Sequence, residues 1–530
     1  MTGQDLPRLY AGRSQSVVAW WRASCTALLL ATALSVGGCA LPSQEGRMES
    51  QAISAAEGAS TRIGRSLAGA ASANPRLTGI SPLSDARGAF AARMRLVQGA
   101  ERTIDVQSYI WHKDATGTLL LRALHDAAER GVRVRLLLDD NGTAGLDDAL
   151  AALDRHPKIE VRLFNPFSVR SPKAIGYLTH FDRANRRMHN KSFTVDNQAT
   201  IVGGRNIGDE YFGATDDVVF ADLDVIAVGA VVPDMSKDFD RYWASLSAYP
   251  IDRILASKKP VPLEEALPPL AEDNPQANRY RKANDESRLL DSLYEGKIEF
   301  QWSKVRMISD DPRKGLGEAP DNKLMMPRIM QILDTPRESL DLVSSYFVPA
   351  ETGTAAFTQL AQDRVKVRIL TNALEATDVA PVHAGYAKRR KALLEAGVTL
   401  YEMRRQPGTE TSDVGGPLGS SGSSLHAKTF AVDRKRMFVG SYNFDPRSEK
   451  LNTELGFVID NPKLTSAVHA AFDEKIPQVS YEVRLDDKGD MYWLAWEDGK
   501  QVRYDSEPNT GLLKGLAIRV LSWLPIDWLL

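Results

Sequence analysis

Between residues 85 and 165 the apolar positions switch repeatedly between two rhythms. Short runs at 103–110, 132–138 and 159–164, in which apolar residues recur at about every second position, predict strands of a largely buried sheet. Between them, 117–130 and a stretch near 145–154 predict helices. An earlier helix near 85–98 takes Ser84 or Asp85 as its N-cap and carries Phe90, Met94 and Val97. The same order returns downstream, with a helix near 324–334, strands at 339–347 and 365–371, a helix at 386–396 and a strand at 398–402. Strand–helix alternation of this kind predicts an α/β fold whose sheets are mostly buried and flanked by helices.

The resemblance between the two stretches extends to residue identity. Ile104-Asp105-Val106-Gln107-Ser108-Tyr109 pairs with Leu340-Asp341-Leu342-Val343-Ser344-Ser345-Tyr346, Thr-Gly-Thr at 116–118 with that at 352–354, and the run from Val132 with that from Val365. All are 233 to 237 residues apart. A period this long implies two duplicated halves, each large enough to own a core, and therefore a pseudo-two-fold bilobal protein.

Within the repeat sit two copies of His-x-Lys-x4-Asp: His189, Lys191 and Asp196, then His426, Lys428 and Asp433. Each His is followed at +14 by Gly (Gly203, Gly440) and at +17 by Asn (Asn206, Asn443). The residues between Lys and Asp are β-type runs, each followed by a turn and a second strand, at 199–202 and 437–439. His and Lys two apart on a strand face the same way and can reach one ligand.

Composition adds boundaries. The chain has 530 residues, 43% of them hydrophobic and 25% charged, with a formal net charge of −2, so no global field argues for nucleic acid. Basic clusters at Arg183, Arg186 and Arg187, at Lys388–Arg390, and at Arg404 and Arg405 read either as solvated faces or, for the first, as part of the site before His189. Both cysteines, Cys25 and Cys39, fall in an N-terminal apolar stretch, which leaves no disulfide framework and no Cys-based metal site. A short apolar core behind Arg13 and Arg22, ending in Val36-Gly37-Gly38-Cys39, is similar to a bacterial lipoprotein signal with Cys39 as the lipidated residue; an uncleaved anchor from about Val17 is the competing reading. Either would place the body outside a bacterial inner membrane.

The expected organisation is a signal peptide at 1–38, a flexible tether at 39–80, domains at 81–250 and 298–480 joined by a linker at 251–297, and a C-terminal extension at 481–530. Residues 406–424 form a Gly/Ser-rich stretch before His426, either disordered or a lid. The tail from Gly511 is apolar on most of its circumference, either a membrane-interface segment or a tail packed on the body.

Two His, two Lys and two Asn suit phosphodiester chemistry without a metal or cofactor. The lysines would neutralise the non-bridging oxygens while the asparagines donate hydrogen bonds to them. One imidazole would attack phosphorus to give a phospho-histidine, and the other would protonate the leaving oxygen and then deprotonate the acceptor.

On these paired motifs the chain resembles the phospholipase D superfamily over roughly residues 85–480. The resemblance implies two tandem pseudo-symmetric phospholipase D-like domains sharing one active site, a motif Asp that is mainly structural, and a later carboxylate that orients each histidine. By position those carboxylates are Glu454 and Asp222. The +15 residue often contacts phosphate as Ser: Ser441 fits, whereas Gly204 offers only its N–H. The wording of His189–Ser192, Gly203–Phe212, Thr377–Tyr386 and the last seven residues is similar to bacterial cardiolipin synthases of the C type. That implies a membrane-attached, periplasm-facing phosphatidyltransferase acting on phosphatidylglycerol, with phosphatidylethanolamine a further candidate substrate and His383 either substrate-side or structural. A phospholipase D hydrolase, a metal-independent nuclease and a non-catalytic lipid-binding protein are the alternatives; near-neutral charge disfavours nucleic acid as partner.

Overall fold

A computed structural model describes residues 41–173, 175–213, 220–256, 258–377, 379–405 and 424–511. The expected signal peptide with Cys39, the Gly/Ser-rich stretch at 406–423 and the tail at 512–530 lie outside the described residues. No helix among those described is long and apolar enough to cross a membrane.

The first half contributes β1 (Thr78–Leu83), β2 (Thr103–Ile110), β3 (Arg133–Gly142), β4 (Ile159–Phe164), β5 (Ser192–Val195), β6 (Ala199–Gly203), β7 (Phe220–Ala221), β8 (Asp224–Gly229) and β9 (Ala248–Pro250). The second contributes β10 (Gln301–Ser309), β11 (Ser339–Ser344), β12 (Lys366–Asn372), β13 (Thr399–Met403), β14 (Ser424–Leu425), β15 (Lys428–Val432), β16 (Arg436–Gly440), β17 (Leu455–Asp460), β18 (Ser480–Leu485), β19 (Met491–Glu497) and β20 (Lys500–Tyr504). From the centre outward the first half runs β1-β8-β6-β5-β2-β3-β4-β9. The second runs β10-β17-β16-β15-β11-β12-β13-β18, with β19 and β20 beyond. The two orders match strand for strand about the antiparallel pair β1–β10, where Thr78 faces Ser303 and Ile80 faces Gln301. One sheet of 18 strands results, with a pseudo-two-fold axis at its middle.

In each half the parallel trio (β2-β3-β4, β11-β12-β13) is connected by helices, which cover its outer face: Ala115–Glu129 and Asp147–Asp154 in the first half, Ala350–Gln362 in the second. Each half has its own apolar cluster. A third cluster joins them, with Val202, Leu223 and Val225 packed among Met437, Leu455 and Phe457.

Three expected boundaries are redrawn. Residues 41–80 do not form a flexible tether: they contain helices Ala55–Ala59 and Arg62–Ala73 as well as the start of β1, and Ile63 and Leu67 are buried in the first core. Buried partners also bind the backbone there, with Arg135 donating to Ser50 O at 2.9 Å and Asn197 to Ile53 O at 2.9 Å. The expected linker at 251–297 is mostly helical and belongs to the first half, with Tyr280 fully buried against Phe90. Part of the C-terminal extension, β18 to β20, completes the second half's sheet.

Candidate active site

The motif histidines sit where the halves cross. Each motif segment leaves its own sheet and pairs briefly with the other half: His189 N donates to Thr453 O at 2.9 Å, and His426 N to Ala221 O at 2.8 Å. β14 accordingly lies parallel to β7. Both imidazoles are buried.

The orienting carboxylates cross as well. His189 Nδ1 lies 2.9 Å from Glu454 Oε2, and His426 Nδ1 lies 2.6 Å from Asp222 Oδ2. Each half therefore supplies the carboxylate for the other half's imidazole. With Nδ1–H given to a carboxylate, Nε2 is left to face a substrate.

The two carboxylates are held differently. Glu454 accepts from Ser448 Oγ at 2.8 Å and from Ser441 Oγ, and its N–H donates to buried Asp310, which pairs with Lys314 at 2.9 Å. Burial raises its pKa to about 7, against the opposing pull of Lys191. Burial acts on Asp222 too, but His426, Lys428 and Arg205 outweigh it and bring the carboxyl down to about 2. Asp222 lies so close over Gly204 that a Cβ there would overlap its carboxylate. This explains why Gly204 stands where the second half has Ser441.

Ser441 is therefore not placed as a phosphate contact: its hydroxyl donates to Glu454, which the one-dimensional pattern cannot reveal. Asn206 accepts from Ile110 N–H at 3.3 Å and leaves its buried amide nitrogen without a partner among the described residues. Asn443 accepts from Ser345 Oγ at 2.9 Å. Lys191 Nζ donates to His189 O at 2.7 Å, and Lys428 Nζ to His426 O. Burial lowers the Lys191 pKa to about 7. Burial, then Lys191, Lys428 and His426, hold His189 well below the ordinary imidazole range. His426 is also lowered by burial and Lys428, with Asp222 pulling the other way. These mutual fields mark one shared charge cluster.

The motif aspartates stand apart from it. Asp196 accepts from the N–H groups of Glu101, Arg102 and Thr103 at 3.0, 2.7 and 2.9 Å, and Asp433 from those of Arg337, Glu338 and Ser339 at 3.1, 2.8 and 3.0 Å. Both lie at left-handed turn positions, with φ of 51° and 50°. Each lies five positions beyond its lysine, roughly 16 Å along the strand. They fasten the motif hairpin to the neighbouring strand, β2 or β11, a structural place rather than a catalytic one.

Sequence reasoning missed the aromatic frame. Tyr109 packs edge-on to His189 with centroids 5.0 Å apart, and Tyr211 and Phe220 flank His426 at 5.1 and 5.2 Å. Tyr109 sits in the repeated block and was legible as repeated, though not as a neighbour of His189. It also missed Ser448, Asp310 and Lys314, which follow no motif. His383 is buried beside Arg390 and Tyr386. His112, Asp114 and Glu210 bring donor atoms within 4.8 Å of one another and form a metal-capable trio among the described residues. Asp114 is already committed as the cap of helix Ala115–Glu129, accepting from Gly117 N at 2.9 Å.

The family model described as cardiolipin synthase, PLD-like domain, matches residues 94–243 and again 329–476. The chain belongs to this family. Its crossing point is accordingly the meeting place of two phospholipase D-like domains. Similar proteins include cardiolipin synthase C of Escherichia coli K12, 47% identical over 87% of this chain and 98% of that one. An uncharacterized protein of Helicobacter pylori strain 26695 is 32% identical over 85% of this chain and 89% of its own. Among solved structures, phosphatidylserine synthase of Haemophilus influenzae Rd KW20 covers 87% of this chain and 99% of its own, with a TM-score of 0.54 at 13% identity, a likeness of fold.

Proposed function

We propose that this phospholipase D-like protein is a phosphatidyltransferase that makes cardiolipin. It would take a phosphatidyl group onto a histidine and pass it to the head-group hydroxyl of phosphatidylglycerol. The crossed carboxylates carry this reading: they orient two imidazoles, one from each half, within a cluster that also holds both lysines. The 47% identity to a cardiolipin synthase over nearly its whole length supports the product.

His189 acts as nucleophile, because burial and its cationic neighbours favour the neutral ring. Its Nε2 forms a bond to phosphorus as the bond to the leaving alkoxide breaks. His426, its Nδ1–H held by ionised Asp222, gives its Nε2 proton to that alkoxide. It then takes the proton of the acceptor hydroxyl, whose oxygen attacks phosphorus and releases His189. Lys191, Lys428, Asn206 and Asn443 neutralise and hold the phosphoryl oxygens; the amide of buried Asn206, unpartnered among the described residues, suits that task. We further propose attachment to a bacterial envelope membrane through a lipidated Cys39, with the body facing the periplasm and phospholipids as partners.

Lipid mass spectrometry after incubating the purified protein with phosphatidylglycerol, alone and then with phosphatidylethanolamine, tests the reading. Cardiolipin is the expected product, and the second arm identifies the donor. Phosphatidic acid alone would make it a hydrolase, and no lipid change would sink the proposal.

A further inference from the structure

Among the described residues seven large apolar side chains are strongly exposed, and three of them, Ile175, Leu178 and Phe181, fall within 175–181. Leu178, at 87%, is the most exposed of all. They belong to two short helices, Ile175–Thr179 and Phe181–Ala184, between β4 and His189. The spacing of three puts Ile175 and Leu178 on one side of their helix.

This segment is fastened from beneath. Tyr177 donates to Asn141 Oδ1 at 3.1 Å and packs on Phe167 at 5.5 Å, while Lys173 donates to Asp140 O at 2.7 Å. Asn141 also hydrogen-bonds the Tyr109 hydroxyl, and the Tyr109 ring stands 5.0 Å from His189. Two side chains thus link the apolar tip to the reacting imidazole.

Cations surround the tip. Arg183 reaches Pro166 O, and Arg186 reaches Lys450 O at 3.1 Å; neither of these arginines nor exposed Lys450 meets a carboxylate among the described residues. Asp182 is the sole acid in 175–186. An apolar tip with unpaired cations beside it matches a surface whose interior is hydrocarbon and whose headgroups are anionic.

We propose that the 175–186 surface docks the catalytic cleft onto an anionic phospholipid bilayer. Leu178, Phe181 and Ile175 enter the acyl boundary while Arg183, Arg186 and Lys450 meet phosphates. The proposal rests on the phosphatidyltransferase reading of the neighbouring site, but its first readout needs no turnover.

An environment-sensitive dye is placed on Leu178→Cys, and in a second variant on Leu246→Cys, both in the full chain with the signal of the unsubstituted chain subtracted. Leu246 is exposed outside this cluster. Adding phosphatidylglycerol vesicles is expected to raise emission about threefold and shift it to the blue at 178, with little change at 246 and a smaller response to phosphatidylcholine. No response at 178, or an equal one at both positions, would overturn docking. A response that follows protein concentration without vesicles would assign the surface to a second copy and also overturn it. As the activity arm, Leu178→Asp with Phe181→Asp should slow turnover of vesicle phosphatidylglycerol roughly tenfold or more, and that of monomeric dihexanoyl phosphatidylglycerol within about twofold. Equal loss on both substrates would count against docking. If the unsubstituted chain makes no cardiolipin from either substrate, the functional reading fails while the dye still decides the docking.

Discussion

The two halves carry the same His-x-Lys motif and treat it differently. His426 leans on Asp222, a carboxylate that stays ionised because three cations surround it. His189 leans on Glu454, whose pKa burial lifts to about 7 and whose two oxygens are occupied by serine hydroxyls. An identical pair of ring nitrogens can therefore be set toward opposite tasks by what stands behind them. The ionised partner favours an imidazole that holds and passes a proton, and the half-neutral one favours an imidazole that stays uncharged and attacks.

Removing either imidazole should break the site most severely. His189→Ala and His426→Ala are each expected to slow turnover on the order of 10,000-fold. Peptide mass spectrometry after long incubation should separate them: His426→Ala slowly accumulates a phosphatidyl group on His189, and His189→Ala accumulates none. An adduct on His426 instead would reverse the two roles.

Sharper tests act behind the rings. Gly204→Ala should push Asp222 off His426 and lower kcat about 100-fold, whereas Ser441→Ala removes one of two hydroxyls from Glu454 and should cost about tenfold. Steady-state kinetics giving the reverse order would show that Glu454 is the more critical support.

The smallest effect is a shift along the pH axis. Lys191 is charged below a pKa of about 7, so kcat/KM should fall as pH rises through that value. The charge of Glu454 raises the Lys191 pKa, so Glu454→Gln should move this alkaline limb to lower pH by roughly half a unit. Asp222 acts on Lys191 more weakly, and Asp222→Asn should move the limb less while lowering kcat more. A limb unmoved by Glu454→Gln would detach Lys191 from it.

Much of this was legible in the chain. The duplication and the strand–helix alternation follow from repeated residues and apolar rhythm, whereas one site shared by two His-Lys pairs was implied by the family resemblance. Glu454 and Asp222 were identified by position, but not which histidine each serves, because that depends on two segments changing halves, an event with no local signature. Ser441 sits at the place of a phosphate ligand and binds a carboxylate, because the pairing of β16 with β17 in its own half puts Glu454 within its reach. Residues 41–80 looked unstructured because Ala, Ser and Gly dominate them. Two apolar residues four apart, Ile63 and Leu67, suffice to seat a helix when the first half offers a waiting face.

The exchange of carboxylates also sets a timetable. His189 waits for a partner 265 residues further along the chain. A nascent chain has its first imidazole, lysine and asparagine long before it has Glu454. A first half that folds early still lacks the carboxylate that orients its imidazole, so phospholipid chemistry would begin only when synthesis and folding have delivered the second half. A protein working amid its own substrate would thereby stay inert until it is whole.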